Sequence, residues 1–136
     1  MTSPGDVARR LARLHERIAD AGGDPDAVRV VAVTKGFGPE VVTAALAVGV
    51  VDVGESYAQE LRAKAEALTS APREAAPRWH FVGRLQTNKV ARLASLVEVW
   101  QSVDRVSLVR QVSAHTTSAR MLVQVNVSGE PSKGGC

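Results

Sequence analysis

The spacing of apolar residues predicts that the chain opens with an amphipathic helix over residues 4–21. Its apolar positions recur every three or four residues, at Val7, Leu11, Leu14 and Ile18. Ser3 is a typical N-cap residue, and Pro4 suits the first position of a helix. Gly22 and Gly23 follow the last apolar position and are expected to end this helix.

Short apolar runs alternate with segments of helical spacing along the rest of the chain. The runs predict strands at 29–34, 50–53, 79–82, 97–101 and 120–127. The segments between them predict helices near 39–48, 56–69, 87–95 and 104–114. Residues 69–77, with two prolines, and residues 128–136, rich in Gly and Ser, are expected to be loops.

Strands that alternate with helices imply right-handed crossovers and a parallel sheet. The fold class is therefore α/β. Two architectures fit this order of elements, an open doubly wound sheet or part of a (β/α)₈ barrel. A complete barrel usually takes about 200–250 residues or more, whereas this chain has 136. If the fold is a barrel, the chain holds roughly half of it.

The composition is that of an ordinary globular domain, with 45% hydrophobic and 23% charged residues. Cys136 is the single cysteine, so no internal disulfide is possible and nothing indicates an oxidising compartment. The sequence shows no charged and apolar leader and no apolar stretch near 18 residues. We therefore expect a cytoplasmic protein that does not contact a membrane.

Charge is distributed unevenly between the two halves of the chain. Residues 1–68 carry 8 basic and 10 acidic side chains, whereas residues 69–136 carry 9 basic and 4 acidic ones. A basic half could attract phosphate or nucleic acid. However, its charges are spread singly, without runs or interleaved aromatic residues, so a solvated surface is favoured over an anionic ligand. No nucleic-acid partner is expected.

Polar residues cluster where the predicted strands end, the edge at which parallel α/β folds bind ligands. The clusters are Thr34–Lys35, Gly54–Tyr57, Gly83–Lys89, Ser102–Asp104 and Asn126–Ser128. Three of these residues, Ser56, Thr87 and Asp104, also stand where helix N-caps belong, so capping is an alternative role for each.

Lys35 closes the first predicted strand and is followed at once by Gly36. Burial at the dry end of a strand disfavours the ammonium form of a lysine and supplies the neutral amine that attacks a carbonyl. This position therefore suits a lysine that forms a Schiff base. The alternative interpretation is that Lys35 only marks the point where the strand meets water.

His80 lies inside the apolar run Trp79–Val82, where a hydrogen-bonded core histidine is favoured over a catalytic one. No spacing of His, Cys or carboxylate residues resembles a metal site. The sequence also lacks a complete dinucleotide fingerprint, a phosphate-binding loop and a nucleophile elbow.

Five segments resemble the pyridoxal 5′-phosphate homeostasis proteins, which share the barrel of alanine racemase: Val31–Lys35, Gly54–Glu60, Trp79–Lys89, Ser102–Arg105 and Val125–Gly135. The resemblance implies a (β/α)₈ barrel that holds pyridoxal phosphate as a Schiff base on Lys35. It further implies that Ser56, His80 and Asn126 contribute to the cofactor site. Family members resemble monomeric carriers that buffer a reactive aldehyde and run no catalytic cycle.

Two departures from the family pattern are evident. Ser56 stands where the family usually has Asn, so a hydroxyl replaces an amide beside the cofactor. The chain also stops after the Ser-Lys-Gly-Gly motif that ends at Gly135, whereas the family holds the cofactor phosphate on later strands. We therefore expect one partial barrel domain over residues 1–136, with about five strands of eight, whose open edges allow self-association.

Two alternatives remain open. An amino-acid racemase of the alanine racemase type needs a second base opposite the lysine, and Tyr57 is the only tyrosine available. Alternatively, the chain is a fragment that folds only on a partner chain through its open sheet.

Overall fold

The structure, a computed structural model, describes residues 3–69 and 76–136. Most of the loop predicted at 69–77 therefore lies outside the described residues. The described strands form one parallel sheet in the order β1-β2-β3-β4-β5. Their bounds are Ala32–Val33 for β1, Asp52–Glu55 for β2, Arg78–Phe81 for β3, Val97–Val103 for β4 and Arg120–Val123 for β5. The predicted α/β fold with a parallel sheet is confirmed.

Helices connect and precede the strands. They are α1 (Pro4–Asp20), α2 (Pro39–Leu46), α3 (Ala58–Ala67), α4 (Val90–Leu93) and α5 (Val106–His115), with short 3₁₀ helices at Pro25–Ala27 and Thr87–Lys89. The predicted start of α1 is confirmed, because the Ser3 side chain caps the helix and Asp6 completes the capping box. Gly22 follows the helix with a φ of 80°, a conformation that glycine adopts without strain.

The hydrophobic core lies between one face of the sheet and helices α2 to α5. It comprises Val42, Val53, Leu61, Trp79, Phe81, Leu85, Val90, Leu93, Val97, Trp100, Val103, Leu108 and Val112. Full burial of a side chain of this size stabilises a fold by about 1.5–3 kcal/mol. Helix α1 contributes no fully buried residue to this core.

The other face of the sheet, called the inner face here, carries the residues that alternate with the core positions. In β2 and β3 these are Asp52, Gly54, Arg78 and His80. The side chain of His80 bonds to Asp52 from the neighbouring strand, as expected for residues that share a face. Polar groups therefore line the inner face below the carboxyl ends of the strands.

The first two strands differ from their predicted bounds. Strand β1 has two residues instead of the predicted 29–34, because it is an edge strand that pairs only with β2 among the described strands. Val33 is 47% exposed, so the expectation of a buried strand is wrong. Strand β2 runs over 52–55 instead of 50–53, since Glu55 finds buried polar partners and can remain inside the sheet.

Two later elements are also shorter than predicted. The helix near 87–95 is a 3₁₀ helix followed by the single turn of α4. Strand β5 ends at Val123 instead of residue 127. Beyond it the N–H of Asn126 donates to the carbonyl oxygen of Cys136, and the N–H of Cys136 donates to that of Gln124. The returning tail thus takes the place of further strand pairing.

Candidate functional site

Lys35 and Ser56 each follow one of two strands that pair in parallel. Val33 is paired with Gly54, and the N–H of Thr34 donates to the carbonyl oxygen of Gly54 at 2.9 Å. Lys35 and Ser56 each come two residues after this pair, so both stand at the carboxyl edge of the sheet. The structure therefore places both predicted site residues at the same edge of the sheet.

Lys35 is exposed to solvent. The expectation of a dry strand end is wrong, because β1 has no neighbour on its outer side among the described strands. The amine takes part in no ion pair or hydrogen bond with a described residue. A primary amine without a protein partner is free to bind a ligand that reaches this edge.

The backbone around Lys35 is held by side chains from α3. The ammonium of Lys64 donates to the carbonyl oxygen of Thr34 at 2.7 Å, and the N–H of Gly36 donates to Glu60 Oε2 at 2.8 Å. The sequence interpretation missed both residues. A signal was present, since Lys64 follows Leu61 by three positions and thus falls on the apolar face of the helix.

Glu55 connects Lys64 to β1 beneath the sheet edge. Its Oε1 accepts a hydrogen bond from the hydroxyl of Thr34 at 2.6 Å and forms an ion pair with Lys64. All three side chains are buried. A buried charge needs an opposite charge and further hydrogen bonds to offset its lost hydration, and Lys64 and Thr34 supply these. Glu55 Oε2 is buried without a hydrogen-bond partner.

His80 is buried on the inner face with both ring nitrogens in use. Its Nε2 lies 2.7 Å from Asp52 Oδ1, and its Nδ1 lies 2.7 Å from the amide nitrogen of Gln101. Since the Gln101 amide nitrogen can only donate, Nδ1 accepts its hydrogen bond. Nε2 therefore carries the ring proton and donates a hydrogen bond to Asp52. His80 pairs with Gly54, two residues before the carboxyl edge where Ser56 stands.

Asp52 lies on the inner face with its carboxylate bound by Arg78 and His80. Arg78 donates to its two oxygens at 2.5 and 2.8 Å. These bonds, together with the bond from His80, lower the pKa of Asp52 to about 2 against the opposing effect of burial. The same contact raises the pKa of Arg78. The charge of Asp52 thus fixes its neighbours in place.

Asn126 organises the loop that follows β5. Its side-chain oxygen accepts hydrogen bonds from the Ser128 hydroxyl and the Gly129 N–H, both at 3.1 Å, and its amide nitrogen donates to the Glu130 carbonyl oxygen at 3.0 Å. Strands β1 and β5 are at opposite ends of the sheet order. The strand order therefore does not place Asn126 beside Lys35.

The proposed capping roles are wrong for all three residues. The N-cap of α3 is Tyr57, that of the 3₁₀ helix is Gln86, and that of α5 is Arg105, none with a side-chain capping bond. In each case the N-cap lies one residue away from the position that the sequence pattern favoured. The hydroxyl of Ser56 is therefore not used as a helix cap.

A separate cavity of about 820 Å³ lies beside the ends of β2, β3 and β4. Its wall includes Ser56 and the basic side chains of Arg84, Lys89 and Arg105. Lys35 does not line it. Three basic residues that the sequence spreads singly are thus gathered by the fold, although Arg105 is already paired with Asp104.

Residues 3–69 and 76–136 hold neither a candidate metal cluster nor a helix that could span a membrane. Nowhere in this part do three or more His, Cys, Asp or Glu side chains come together as a metal site would require. Its helices are also too short or too polar for any of them to cross a bilayer.

Comparison with known proteins gives a consistent result, although no protein-family model matches the chain. Pyridoxal phosphate homeostasis proteins of Pseudomonas aeruginosa and Aquifex aeolicus are 36% and 35% identical to it. Each alignment covers 96% of this chain, and 57% and 59% of the relative. The chain is a relative of the pyridoxal phosphate homeostasis proteins. It spans less than three fifths of their length.

Solved structures agree with this relationship. PipY of Synechococcus elongatus, solved with pyridoxal phosphate bound, superposes with a TM-score of 0.79 at 28% identity, over 96% of this chain and 58% of PipY. A protein from Bifidobacterium adolescentis gives 0.78 at 34% identity, over 98% of this chain and 57% of its own. The resemblance to the pyridoxal phosphate homeostasis proteins is therefore confirmed in sequence and in fold.

Proposed function

We propose that this chain binds pyridoxal phosphate through the amine of Lys35 and serves as a carrier of the cofactor without catalysing a reaction. The observation that carries the proposal is the position of Lys35 at the carboxyl edge of the sheet, with an amine free of any described partner. The names of the relatives and the cofactor bound in PipY support it.

The residues around Lys35 fit the aldehyde end of the cofactor. When bound, the cofactor supplies an aldehyde that condenses reversibly with a primary amine. Lys35 offers that amine at the solvent-exposed edge of the sheet. Ser56, which carries a hydroxyl, follows the neighbouring strand β2 at the same edge of the sheet. Gly54, two residues before Ser56, leaves the inner face without a side chain at that position. A Cβ there would lie 3.2 Å from the side chain of Val33.

A carrier role agrees with how the nearby polar groups are used. Removal of a proton from a bound amino acid needs a general base within hydrogen-bond reach. His80 has both ring nitrogens engaged by Asp52 and Gln101, so it is not free to accept one. Tyr57, the candidate base of the racemase alternative, is the exposed N-cap residue of α3. We therefore propose storage of the cofactor.

We further propose that the contribution of this chain to binding is mainly covalent. The basic cavity is lined by Arg84 and Lys89 but not by Lys35, so it does not offer an evident phosphate anchor for a cofactor held at β1. Affinity should then depend strongly on the amine itself.

Absorption spectroscopy tests the proposal. The cofactor is titrated into the parent chain and into the variants Lys35→Arg and Lys89→Arg, each of which keeps the positive charge but loses a primary amine. We expect a saturable spectral change with one equivalent in the parent and in Lys89→Arg, and its loss in Lys35→Arg. An unchanged titration of Lys35→Arg would overturn the proposal.

A further inference from the structure

Both peptide groups that flank Lys35 are held from the same helix. The carbonyl oxygen of Thr34 accepts a hydrogen bond from Lys64 Nζ at 2.7 Å, and the N–H of Gly36 donates to Glu60 Oε2 at 2.8 Å. Glu60 and Lys64 are four residues apart on α3, and their charged atoms lie 3.5 Å from each other. One turn of α3 therefore holds the backbone on both sides of Lys35 by hydrogen bonds.

The hydrogen bond from Lys64 to the backbone of Thr34 is held rigidly because Lys64 is buried. Lys64 is 3% exposed, and its ammonium also pairs with the fully buried Glu55. Glu55 in turn accepts the hydroxyl hydrogen of Thr34 at 2.6 Å. A desolvated ammonium with these fixed partners cannot move away without leaving a buried charge unpaired. The end of β1 is thus fixed relative to α3.

The hydrogen bond to Glu60 constrains Gly36, the neighbour of Lys35 with the greatest conformational freedom. Gly36 has a φ of +78°, in the region that favours glycine, and a residue without a Cβ has the widest choice of backbone conformations. The bond from its N–H to Glu60 selects one of them. Because the side chain of Glu60 is 34% exposed, this bond can be removed from the surface without opening the core.

We infer that Glu60 and Lys64 are positioning residues, which fix the direction in which Lys35 leaves the sheet and so favour capture of an aldehyde at Lys35 over the other lysines. This inference rests on the proposed function. The chain has four lysines, and Lys89 and Lys133 provide internal competitors for the same aldehyde. Glu60 and Lys64 act through the backbone beside Lys35, without touching the cofactor.

Variants of Glu60 test the inference, since Lys64→Met would leave Glu55 buried and unpaired and is expected to unfold the chain. Glu60→Ala removes the acceptor of the Gly36 N–H, whereas Glu60→Gln keeps an oxygen there. Glu66→Ala is the matched control, an exposed glutamate later in the same helix. The measurements are amide hydrogen exchange at Gly36, thermal unfolding, and the share of cofactor trapped on Lys35 by borohydride and located by peptide mapping.

We expect Glu60→Ala to exchange the Gly36 amide at least about tenfold faster, the effect of losing one hydrogen bond to a charged group. The share of label on Lys35 should fall by about threefold or more, as Lys35 samples more directions. Glu60→Gln should restore most of both values, and Glu66→Ala should match the parent. All of these chains should unfold at similar temperatures, because the core is untouched.

Two results would overturn the inference: an unchanged exchange rate at Gly36 in Glu60→Ala, or faster exchange with an unchanged share of label on Lys35. Loss of label only in proportion to lost folding would also overturn it. Failure of the proposed function has a different signature. The parent chain would then show no preference for Lys35, while the Gly36 amide would still respond to Glu60→Ala.

Discussion

Each charged side chain that is buried in the described sheet has an opposite charge beside it. Glu55 pairs with Lys64 on the helix side, whereas Asp52 pairs with Arg78 on the inner face and also bonds to His80. Removing one member of such a pair leaves the other desolvated, which typically costs about 3–5 kcal/mol. These pairs therefore fix which strand positions face each other near the candidate site.

The low pKa of Asp52 predicts a specific acid sensitivity. Because its pKa falls from 3.8 to about 2 on folding, the carboxylate stabilises the fold above pH 4, and this stabilisation is lost as the pH falls towards 2. A shift of this size corresponds to about 2 kcal/mol of the free energy of unfolding. Urea unfolding of the parent between pH 2 and 7 should show this loss.

Asp52→Asn serves as the reference for this prediction, and Asp20→Asn, at the exposed end of α1, controls for the loss of one carboxylate. At pH 7 we expect Asp52→Asn to be less stable than the parent by about 2 kcal/mol or more. The difference should shrink as the pH falls below 4. A difference that is independent of pH would show that Asp52 is not held by Arg78.

At the scale of the elements, the ends of β2 and β3 depend on one close backbone approach. A Cβ added to Gly83 would lie 2.1 Å from the carbonyl oxygen of Ser56, and backbone atoms cannot rotate away as a side chain could. We therefore predict that Gly83→Ala lowers the free energy of unfolding by about 1–3 kcal/mol, the usual cost of forced overpacking. Urea unfolding at neutral pH measures it.

Gly5→Ala is the control for the Gly83 variant. Gly5 lies in the first turn of α1, where the nearest atom to an added Cβ is Ser3 Oγ at 3.7 Å. This substitution should leave stability unchanged or raise it by up to about 1 kcal/mol, because alanine favours helix more than glycine does. If both variants unfolded like the parent, the close approach at Gly83 would be refuted.

Local patterns predicted the order of the elements well. The start of α1 could be predicted because Ser3, Pro4 and Asp6 act through contacts within one turn. The start of α3 could not, since Ser56 has the right chemistry for a cap but stands one residue too early. The end of β2 was misplaced for a related reason: Glu55 looks like a strand terminator until its buried partners are known.

Within the candidate site, the sequence indicated Lys35 but not what holds it. Lys35 and Ser56 come shortly after paired strands, so their place at one edge required only a parallel sheet. The hydrogen bonds that Glu60 and Lys64 make to this backbone depend on how α3 packs beside the end of β1. No sequence pattern within either segment predicts that packing. The burial expected at Lys35 likewise required a neighbouring strand on both sides of β1. Because β1 lies at the edge of the described sheet, Lys35 is exposed.

At the scale of the whole molecule, the open sheet edges predict self-association. Val123 in the edge strand β5 is 64% exposed, and unpaired edge strands favour pairing with another chain. We expect the sedimentation coefficient of the parent to rise with concentration, and Val123→Lys to reduce this rise, because a charge on an edge strand opposes pairing. Analytical ultracentrifugation measures the effect.

Val106→Lys is a matched control, since Val106 is 65% exposed but begins helix α5 instead of a sheet edge. Association that responds equally to both variants would indicate non-specific association through exposed apolar side chains and would contradict pairing through β5. A parent chain that stays monomeric at all concentrations would refute self-association itself. It would also disfavour the alternative that the chain folds only on a partner.

The partial barrel over residues 1–136 remains a prediction, and so does capture of the cofactor at Lys35, on which the proposed function rests. The most direct measurement is borohydride trapping with less than one equivalent of pyridoxal phosphate, followed by peptide mapping of the parent chain. We predict that most of the label lies on Lys35. Label spread evenly over Lys35, Lys89 and Lys133 would contradict a dedicated site at the end of β1.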